Sequence, residues 1–356
     1  MGLSLEQLGG WPSVLGKLIR HEDLTADEAS TALAEIFEGN AAPAQIAAFI
    51  TLIHAKGETV DELAGLVRTM LEFAEPIPLP NGTADILDTC GTGGSAQRSA
   101  GAFNVSTIAS FVSAGAGARI AKHGGRAASA TSSSADLLAA LGVAIELGPA
   151  GVAQCVERAG MGFCFAPRFH PAARHAAPVR RELGVPTMFN FVNPLANPAR
   201  PKRQVVGVSD PSLAEKMLGV LQANGAQRAM VVYGHDGLDE LTTTTTSTAL
   251  ELRDGEVRTT EVDPASLGLR PSTTEELRGG DAAVNADLTR RVLDGEAGVH
   301  RDIVLLNSAA GIVVAGLADD LAQGLELARA SLDDGRAAGV LERLVAASNA
   351  AAEAER

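Results

Sequence analysis

The segment with the clearest chemical character is a glycine-rich loop, Asp88-Thr-Cys-Gly-Thr-Gly-Gly94. It follows a short apolar stretch and precedes a predicted helix that begins near residues 104–107, Asn-Val-Ser-Thr. Glycines allow several backbone N–H groups to approach one anion, and a helix N-terminus adds a partial positive charge. A plain turn is the competing interpretation, and the spacing fits neither a Walker loop nor GxGxxG. The loop therefore predicts an anion-binding site.

A second segment combines positive charge with glycine. It reads Lys122-His-Gly-Gly-Arg-Ala-Ala-Ser-Ala130 and comes directly after a short predicted strand. Two cations, a histidine and two glycines within five residues suit a phosphate and the sugar attached to it. A basic turn on the surface is the alternative interpretation.

A third segment, Asp236-Gly-Leu-Asp-Glu240, follows a predicted buried strand at residues 230–233. Adjacent carboxylates at the C-terminal end of a parallel strand are well placed to hold Mg²⁺ against a polyphosphate. A solvated acidic turn would also have such a sequence.

The distribution of charge agrees with a site for a small anion. The net charge is −14, yet residues 89–135 and 158–181 contain arginines and no Asp or Glu. An acidic protein with two such segments most simply binds a small anion in a focused pocket, although chance segregation of surface charge remains the alternative. The overall charge argues against a nucleic-acid partner, because a polyanion requires an extended positive surface.

The elements that must position these residues fall into two regions. Capping boxes at Thr25 and Thr59 begin two predicted helices, and prolines within residues 76–80 end the helical pattern. The pattern predicts a helical domain over residues 1–80, which a segment near 167–190 rejoins, and an α/β catalytic domain over residues 81–356.

Beyond residue 80, short apolar runs alternate with alanine-rich helical stretches. This alternation predicts a mostly parallel sheet flanked by helices. We also expect a strand at residues 304–306 before Asn307, and the five threonines at 242–246 are β-prone because their side chains are branched. The expected fold class is α/β with a small helical domain.

Other functional classes find no support in the sequence. No run of about 18 apolar residues predicts a membrane span, and the first residues do not resemble a signal peptide. Three cysteines without CxxC spacing argue against a disulfide framework or a zinc site. We therefore expect a reduced, cytoplasmic protein.

Five motifs, in order across residues 85–245, together resemble the anthranilate phosphoribosyltransferase family. They are Asp-x-x-Gly-Thr-Gly-Gly, Asn-x-Ser-Thr, Lys-His-Gly-x-Arg-Ala-Ala-Ser, Phe-Asn-x-x-x-Pro-Leu-x-Asn-Pro and Gly-x-Asp-Gly-Leu-Asp-Glu. The resemblance implies a nucleoside phosphorylase/phosphoribosyltransferase-like fold, dimerisation through the helical domain and a Mg²⁺ cofactor. It also implies transfer of phosphoribosyl from phosphoribosyl pyrophosphate (PRPP) to anthranilate in tryptophan biosynthesis.

The resemblance further implies a role for each matching residue. The PRPP-binding set would be Gly91, Thr92, Gly93, Gly94, Ser95, Asn104, Val105, Ser106, Thr107, Lys122, His123, Gly124, Gly125, Arg126, Ala127, Ala128, Ser129, Ala130 and Ser134. The acceptor set would be Gly91, Gly125, Ala166, Pro167, His170, Arg180 and Asn193, with Arg180 pairing with the acceptor's carboxylate. The Mg²⁺ ligands would be Ser106, Asp239 and Glu240.

This chemistry requires no protein nucleophile. Pyrophosphate would leave C1 of the ribose through an oxocarbenium-like state, and the arylamine would attack that carbon. Catalysis would therefore consist of positioning and of neutralising the leaving group's charge.

Three places depart from the family pattern. Ser95 stands where the glycine loop normally continues with Asp, and about three extra residues lie in the stretch 96–103, which includes Arg98. Gly125 replaces an expected Asn, and Asn193 replaces an expected Gly. The donor and metal motifs are mostly intact, so these departures bear chiefly on the acceptor.

Three alternatives therefore stay open. One is a paralogue that uses another small aromatic acceptor. The second is a pyrimidine nucleoside phosphorylase-like enzyme, against which the Asp239–Glu240 pair and the adjacent threonines argue. The third is a nucleic-acid-binding relative of this fold, which the net charge of −14 opposes.

Overall fold

The structure is a computed structural model that describes residues 3–93, 103–126 and 132–356. Its first part consists of four helices. Both predicted capping boxes are present, since the Thr25 and Thr59 hydroxyls accept hydrogen bonds from the N–H groups of Glu28 and Glu62. The helices are α1 (Gly10–Ile19), α2 (Ala26–Phe37), α3 (Pro43–Lys56) and α4 (Val60–Glu72).

The second part is a seven-stranded sheet with the order β3-β2-β1-β4-β5-β6-β7. Strands β1 to β5 are parallel, and β6 and β7 extend the sheet in antiparallel fashion. The predicted mostly parallel sheet is thus confirmed. The strands are β1 (Ile86–Gly91), β2 (Arg119–Gly124), β3 (Met161–Phe165), β4 (Arg203–Gly207), β5 (Arg228–Gly234), β6 (Ser247–Arg253) and β7 (Glu256–Val262).

Helices cover both faces of the sheet, and the remaining ones are numbered here in chain order. They are α5 (Val105–Gly115), α6 (Ser134–Ala140), α7 (Pro149–Ala159), α8 (Ala166–Phe169), α9 (Ala177–Leu183), α10 (Phe189–Leu195), α11 (Ala214–Ala223), α12 (Ala282–Leu293), α13 (Val299–Val314), α14 (Leu321–Asp333) and α15 (Arg336–Ala354). Short 3₁₀ helices lie at Pro171–His175, Pro211–Leu213 and Pro264–Leu267.

Side chains of successive strand residues enter two different cores, as the two-residue period of a strand requires. Val205 of β4 packs with α5 and with α12 to α15, whereas Val206 packs with the N-terminal helices. Val179 of α9 and Phe189 of α10 belong to the same core as α1 to α4, and the ring of Phe37 stacks on that of Phe189 at 6.4 Å. The segment containing α9 and α10 therefore packs against the N-terminal helices.

Strand β1 has β2 on one side and β4 on the other, so the chain order reverses at this strand. In open α/β sheets, ligands bind outside the carboxyl ends of the strands at such a switch point. The ends of β1, β2 and β5 carry the three chemically distinctive segments of the sequence.

Two local expectations were wrong. Residues 304–306 lie inside α13 rather than in a strand, because the whole stretch from Ile303 to Val314 is buried and a buried helix is apolar on all sides. The threonines at 242–246 form a loop between β5 and β6, where their hydroxyl groups make local hydrogen bonds.

None of the helices formed by the described residues has the length and apolar character needed to cross a membrane.

Candidate active site

The glycine loop begins at the carboxyl end of β1, where it touches the segment that follows β5. The N–H of Gly93, whose φ is +66°, donates to Oδ2 of Asp239 at 2.9 Å. Gly91 has no room for a side chain, because a Cβ there would stand 2.6 Å from the same Asp239 oxygen. Gly207 of β4 is more constrained still, since its Cβ would stand 1.7 Å from the backbone carbonyl oxygen of Asp239. These two glycines form the seat on which Asp239 rests.

The two adjacent carboxylates bind two different backbone amides. Asp239 is fully buried and Glu240 is 4% exposed. While Asp239 accepts from Gly93, Oε1 of Glu240 accepts from the N–H of Ser106 at 3.0 Å, in the first turn of α5. Negative charge at a helix N-terminus is stabilised by the helix dipole. The pair therefore lies between the glycine loop and the start of α5.

Lys122 approaches the same place from β2. Its side chain is 1% exposed, and its Nζ donates to the carbonyl oxygen of Thr89 and lies 3.5 Å from Oγ of Ser106. Thr107 of α5 donates its hydroxyl to Oγ of Ser134 at 2.9 Å. Residues of β1, β2, α5 and α6 that the motifs single out thus lie close together.

The buried carboxylate of Asp88 links strand β2 to strand β4 through hydrogen bonds. Asp88 accepts from the N–H of His123 at 3.1 Å and from Nε2 of Gln204 at 3.2 Å. Burial raises the pKa of Asp88 to about 6, and the positive charge of Lys122 acts in the opposite direction. Gln204 also donates to the carbonyl oxygen of Pro194 at 2.7 Å, so one network connects the donor motif with α10.

The loop that carries the carboxylates is held by its own side chains and by one side chain from helix α13. Thr242 and Thr244 donate their hydroxyls to Oδ2 of Asp236 at 2.8 and 2.5 Å. Asn307 of α13 binds the backbone of Leu241 on both sides, accepting from its N–H at 3.0 Å and donating to its carbonyl at 2.8 Å.

The oxygen atoms of Asp239 and Glu240 suit a magnesium ion as ligands. Two carboxylates stand side by side at the amide-lined end of the sheet, and no cluster of three or more His, Cys, Asp or Glu side chains capable of holding a metal occurs among the described residues. Protein-bound Mg²⁺ commonly uses one or two carboxylates and fills its remaining positions with water and substrate phosphates.

A second group of predicted residues lies beside β2 and β3. The rings of His123 and His170 meet edge to face at 5.2 Å, and their residues are 6% and 7% exposed. Burial lowers the pKa of His123 well below its ordinary value, and the nearby His170 adds to the shift. Burial also lowers the pKa of His170 to about 4. Both rings are therefore neutral at pH 7.

His123 belongs to the predicted PRPP set, yet its ring lies among the predicted acceptor residues. Lys122 and His123 are neighbours on β2, and successive strand residues point to opposite faces. Lys122 therefore faces Ser106 while His123 faces His170.

Arg180 lies on α9, half-buried, with its guanidinium carbon 4.6 Å from the centre of the Phe189 ring. Burial lowers its pKa, and no carboxylate of the described residues forms an ion pair with it. Asn193 follows Phe189 by one helical turn on α10, and its backbone lies against the His123 ring. The contacts thus connect Arg180, Phe189, Asn193 and the histidine pair.

Gly125 and Ala166 lie together at the ends of β2 and β3. A Cβ built on Gly125 would stand 3.8 Å from Cβ of Ala166, which is ordinary contact and leaves room for a side chain. Pro167 follows in the first turn of α8 and is exposed. Arg126, a predicted PRPP-binding residue, is exposed and forms an ion pair with Asp136 at 2.7 Å.

Several predicted residues lie outside the described part of the chain. They are Gly94, Ser95, Ala127, Ala128, Ser129 and Ala130, together with Arg98 of the inserted stretch.

Sequence reasoning missed Gln204 and Asn307. One signal for Asn307 was available, since a single amide inside the apolar run Val-Leu-Leu-Asn requires hydrogen-bond partners wherever it is buried. Gln204 had a similar signal at the start of the apolar run in β4.

Comparison with known proteins agrees with this geometry. Residues 12–74 match the helical bundle domain of the glycosyl transferase family, and residues 83–338 match its a/b domain. A protein of Roseiflexus castenholzii named anthranilate phosphoribosyltransferase is 50% identical over 335 residues, covering 94% of this chain and 97% of the relative. The chain belongs to the anthranilate phosphoribosyltransferase family.

Solved structures of this family have the same fold. An anthranilate phosphoribosyltransferase from Thermus thermophilus superposes with a TM-score of 0.88 at 40% identity, covering 94% of this chain and 99% of the other. The Saccharomyces cerevisiae anthranilate phosphoribosyltransferase, solved in complex with PRPP and Mg, has a TM-score of 0.86 at 25% identity, covering 96% and 98%. The predicted small helical domain joined to an α/β domain is confirmed.

Proposed function

We propose that this protein transfers the phosphoribosyl group of PRPP to the amine of anthranilate and releases pyrophosphate, a step of tryptophan biosynthesis. The observation that carries the proposal is the meeting of Asp239 and Glu240 with the amides of Gly93 and Ser106 at the switch point of the sheet. Metal-binding carboxylates and anion-binding amides then occupy one place, as a magnesium–pyrophosphate donor requires. The relative's name and the PRPP and Mg of the yeast structure support the same reaction.

On the donor side, the pyrophosphate lies between the glycine loop and the first turn of α5, where the N–H groups of Gly93 and Ser106 hold the two carboxylates in place. Lys122 adds a buried positive charge beside Ser106. Thr107 and Ser134, which are hydrogen-bonded to each other, face the ribose and its phosphate. The PRPP-binding set proposed from the sequence is retained, with His123 acting toward the acceptor.

Ser106, Asp239 and Glu240 would hold Mg²⁺. When bound, the ion neutralises part of the negative charge that develops on the departing pyrophosphate. The two glycines under Asp239 keep its carboxylate at a fixed height above the sheet, since neither tolerates a Cβ.

On the acceptor side, Arg180 pairs with the carboxylate of anthranilate. Its half-burial and its position over Phe189 keep the guanidinium plane oriented, which favours a bidentate contact. The rest of the acceptor pocket is formed by Gly91, Gly125, Ala166, Pro167, His170 and Asn193.

The reaction breaks the bond between C1 of the ribose and the pyrophosphate oxygen and forms a bond between C1 and the amine nitrogen. The attacking nitrogen then loses one proton to water. The protein holds the two substrates in line and keeps the neutral rings of His123 and His170 beside the acceptor, where they add no competing positive charge.

The test is a panel of arylamines and phenolic acids incubated with PRPP and Mg²⁺ while pyrophosphate release is followed. Anthranilate should be the preferred acceptor. Preference for another ring would identify a paralogue, and phosphate-dependent cleavage of pyrimidine nucleosides without use of PRPP would identify a phosphorylase. A gel shift with nucleic acid at physiological salt would contradict the proposal that none is bound.

The organisation of the chain completes the proposal. Residues 1–80 form a helical domain, joined by the segment near 167–190, and residues 81–356 form the catalytic domain.

The protein forms a homodimer through its helical domain, on which Ile19 is 63% exposed. Sedimentation of the wild type and of Ile19→Asp tests this. It acts in the cytoplasm, where its three free cysteines stay reduced.

A further inference from the structure

The metal-binding pair lies on a loop rather than on a helix or strand. Asp239 and Glu240 belong to the connection between β5 and β6, which crosses the ends of β1 and β4. Loops fluctuate more than the elements they connect, so carboxylates in this position need an external support if they are to meet one ion in one geometry.

Helix α13 supplies that support through a single side chain. Asn307 is 7% exposed, and its carboxamide binds the backbone of Leu241, the residue directly after Glu240. Oδ1 accepts from the Leu241 N–H at 3.0 Å, while Nδ2 donates to the Leu241 carbonyl at 2.8 Å. Nδ2 also donates to the carbonyl of Ile303, one turn earlier in the helix, at 2.9 Å.

The geometry of this contact is specific to a carboxamide. A side chain that binds both polar groups of one residue needs a donor and an acceptor in a fixed fork, and the carboxamide of Asn carries both on one planar group. The helix behind the contact is rigid, since every residue from Ile303 to Leu306 is buried and α13 packs against β4 and β5. Leu241 itself is fully buried.

We infer that Asn307 is a positioning residue that holds Asp239 and Glu240 in register with the amides of Gly93 and Ser106. It touches no substrate. Its contribution is to restrict the loop before the donor binds, so that the carboxylates need no reordering when Mg²⁺ arrives. The inference rests on the proposed function for the identity of the ion and the donor.

A purely structural role would have a different signature. A buried amide that only satisfies local groups would alter unfolding when it is replaced and would leave the balance between substrates unchanged. A positioning role should weaken the metal and the donor selectively, while the acceptor is recognised as before.

The test variant is Asn307→Ser. A serine hydroxyl can bind the carbonyl one turn earlier, as Ser308 does with Val304 at 2.6 Å, but it is too short to reach Leu241. The matched control is Asn349→Ser, because Asn349 on α15 likewise donates to a loop carbonyl, that of Gly142 at 2.9 Å, and to Val345 at 2.8 Å. Asn307→Ala is the harsher second variant.

Two readouts are needed. Mn²⁺ binding in the presence of PRPP, followed by electron paramagnetic resonance, does not depend on an acceptor. Steady-state kinetics then gives KM for PRPP and anthranilate and the half-saturating Mg²⁺ concentration. We expect Asn307→Ser to weaken Mn²⁺ binding and raise half-saturating Mg²⁺ about tenfold, and to lower kcat/KM for PRPP by up to about 100-fold, with KM for anthranilate within about twofold.

The outcomes separate the inference from the function it rests on. Unchanged Mn²⁺ binding in a folded Asn307 variant, or an equal change in Asn349→Ser, would overturn the inference while transfer to anthranilate stands. If wild type transfers nothing to anthranilate yet binds Mn²⁺ with PRPP, and Asn307→Ser weakens that binding, the positioning role holds and the acceptor is wrong. Absence of Mn²⁺ binding by wild type with PRPP would overturn both.

Discussion

The two halves of the proposed site differ in their chemical composition. The donor half, formed by the ends of β1, β4 and β5, the start of α5 and Lys122 of β2, consists mainly of backbone amides, two buried carboxylates and a buried lysine. The acceptor half, formed by the ends of β2 and β3 with α9 and α10, consists of side chains. It contains two histidines with lowered pKa values and one arginine over an aromatic ring.

This difference follows from what each half must recognise. A pyrophosphate carries several charges with little shape, so fixed dipoles, a metal and a buried lysine suit it. An aromatic acid carries one charge on a flat apolar ring, so one guanidinium among neutral walls suffices. Changes in one half should therefore affect one substrate and leave the other nearly unaffected.

The largest effect should come from removing both carboxylates of the donor half. Asp239→Asn with Glu240→Gln should lower turnover with Mg²⁺ about 10³-fold, or about 4 kcal/mol, because the metal loses both charged ligands. Steady-state kinetics measures this, and a thermal melt checks the fold. Asp254→Asn with Glu256→Gln removes the same charge from an exposed turn and should have no effect. Near-native turnover of the first pair would contradict the metal assignment.

A smaller but still large effect should follow from filling the glycine seat. Gly207→Ala places a Cβ against the backbone of Asp239, so the loop must shift by an ångström or more. Such misplacement costs on the order of 100-fold in rate, and the loss should appear in KM for PRPP and in the Mg²⁺ requirement. Gly16→Ala on α1 is the control, since among the described residues a Cβ there would meet the flexible end of Arg20 alone. A Gly207→Ala enzyme with normal donor kinetics would show that the seat is dispensable.

In the acceptor half, Arg180→Ala should raise KM for anthranilate about 10- to 100-fold, because a charge-assisted hydrogen bond contributes roughly 1.5–3 kcal/mol. KM for PRPP should stay within about twofold. Arg181→Ala changes the exposed neighbour on the same helix and should affect neither. Equal losses toward both substrates would remove the distinction between the halves.

The smallest effect concerns Gly125 and Asn193, which stand where the family pattern has Asn and Gly. We expect the two to compensate, so that Gly125→Asn with Asn193→Gly retains anthranilate activity while at least one single change loses about 1–3 kcal/mol through an unmatched polar group. Position 125 has room for the new side chain. A double-mutant cycle gives the coupling. If wild type ignores anthranilate and the double variant accepts it, the acceptor is a different ring.

The donor half could be predicted largely from the sequence, and the acceptor half could not be derived from it without a family resemblance. Glycine loops, acid pairs and basic clusters are rare and local, so Gly93, Lys122 and Asp239 could be recognised within short segments. The acceptor half joins residues far apart in the chain, such as His123 and Asn193, and only the folded sheet brings them together.

The contact between Asn307 and Leu241 could not be predicted, because it depends on the structure of one apolar run. The sequence predicts a strand at residues 304–306, and a short buried run has no periodicity that separates strand from helix. The correct assignment puts Asn307 inside a buried helix, where its amide must find partners and finds Leu241. The roles of Gly94, Ser95, Arg98 and residues 127–130 stay predictions, among them that Arg98→Ala raises KM for PRPP.

One measurement tests the separation of the two halves most directly: calorimetric titration of PRPP with Mg²⁺ into wild type, Asp239→Asn/Glu240→Gln and Arg180→Ala. The account predicts that the carboxylate variant loses measurable donor binding, while Arg180→Ala binds PRPP with a Kd within about twofold of wild type. Equal weakening in both variants, or tight PRPP binding by the carboxylate variant in the presence of Mg²⁺, would contradict it.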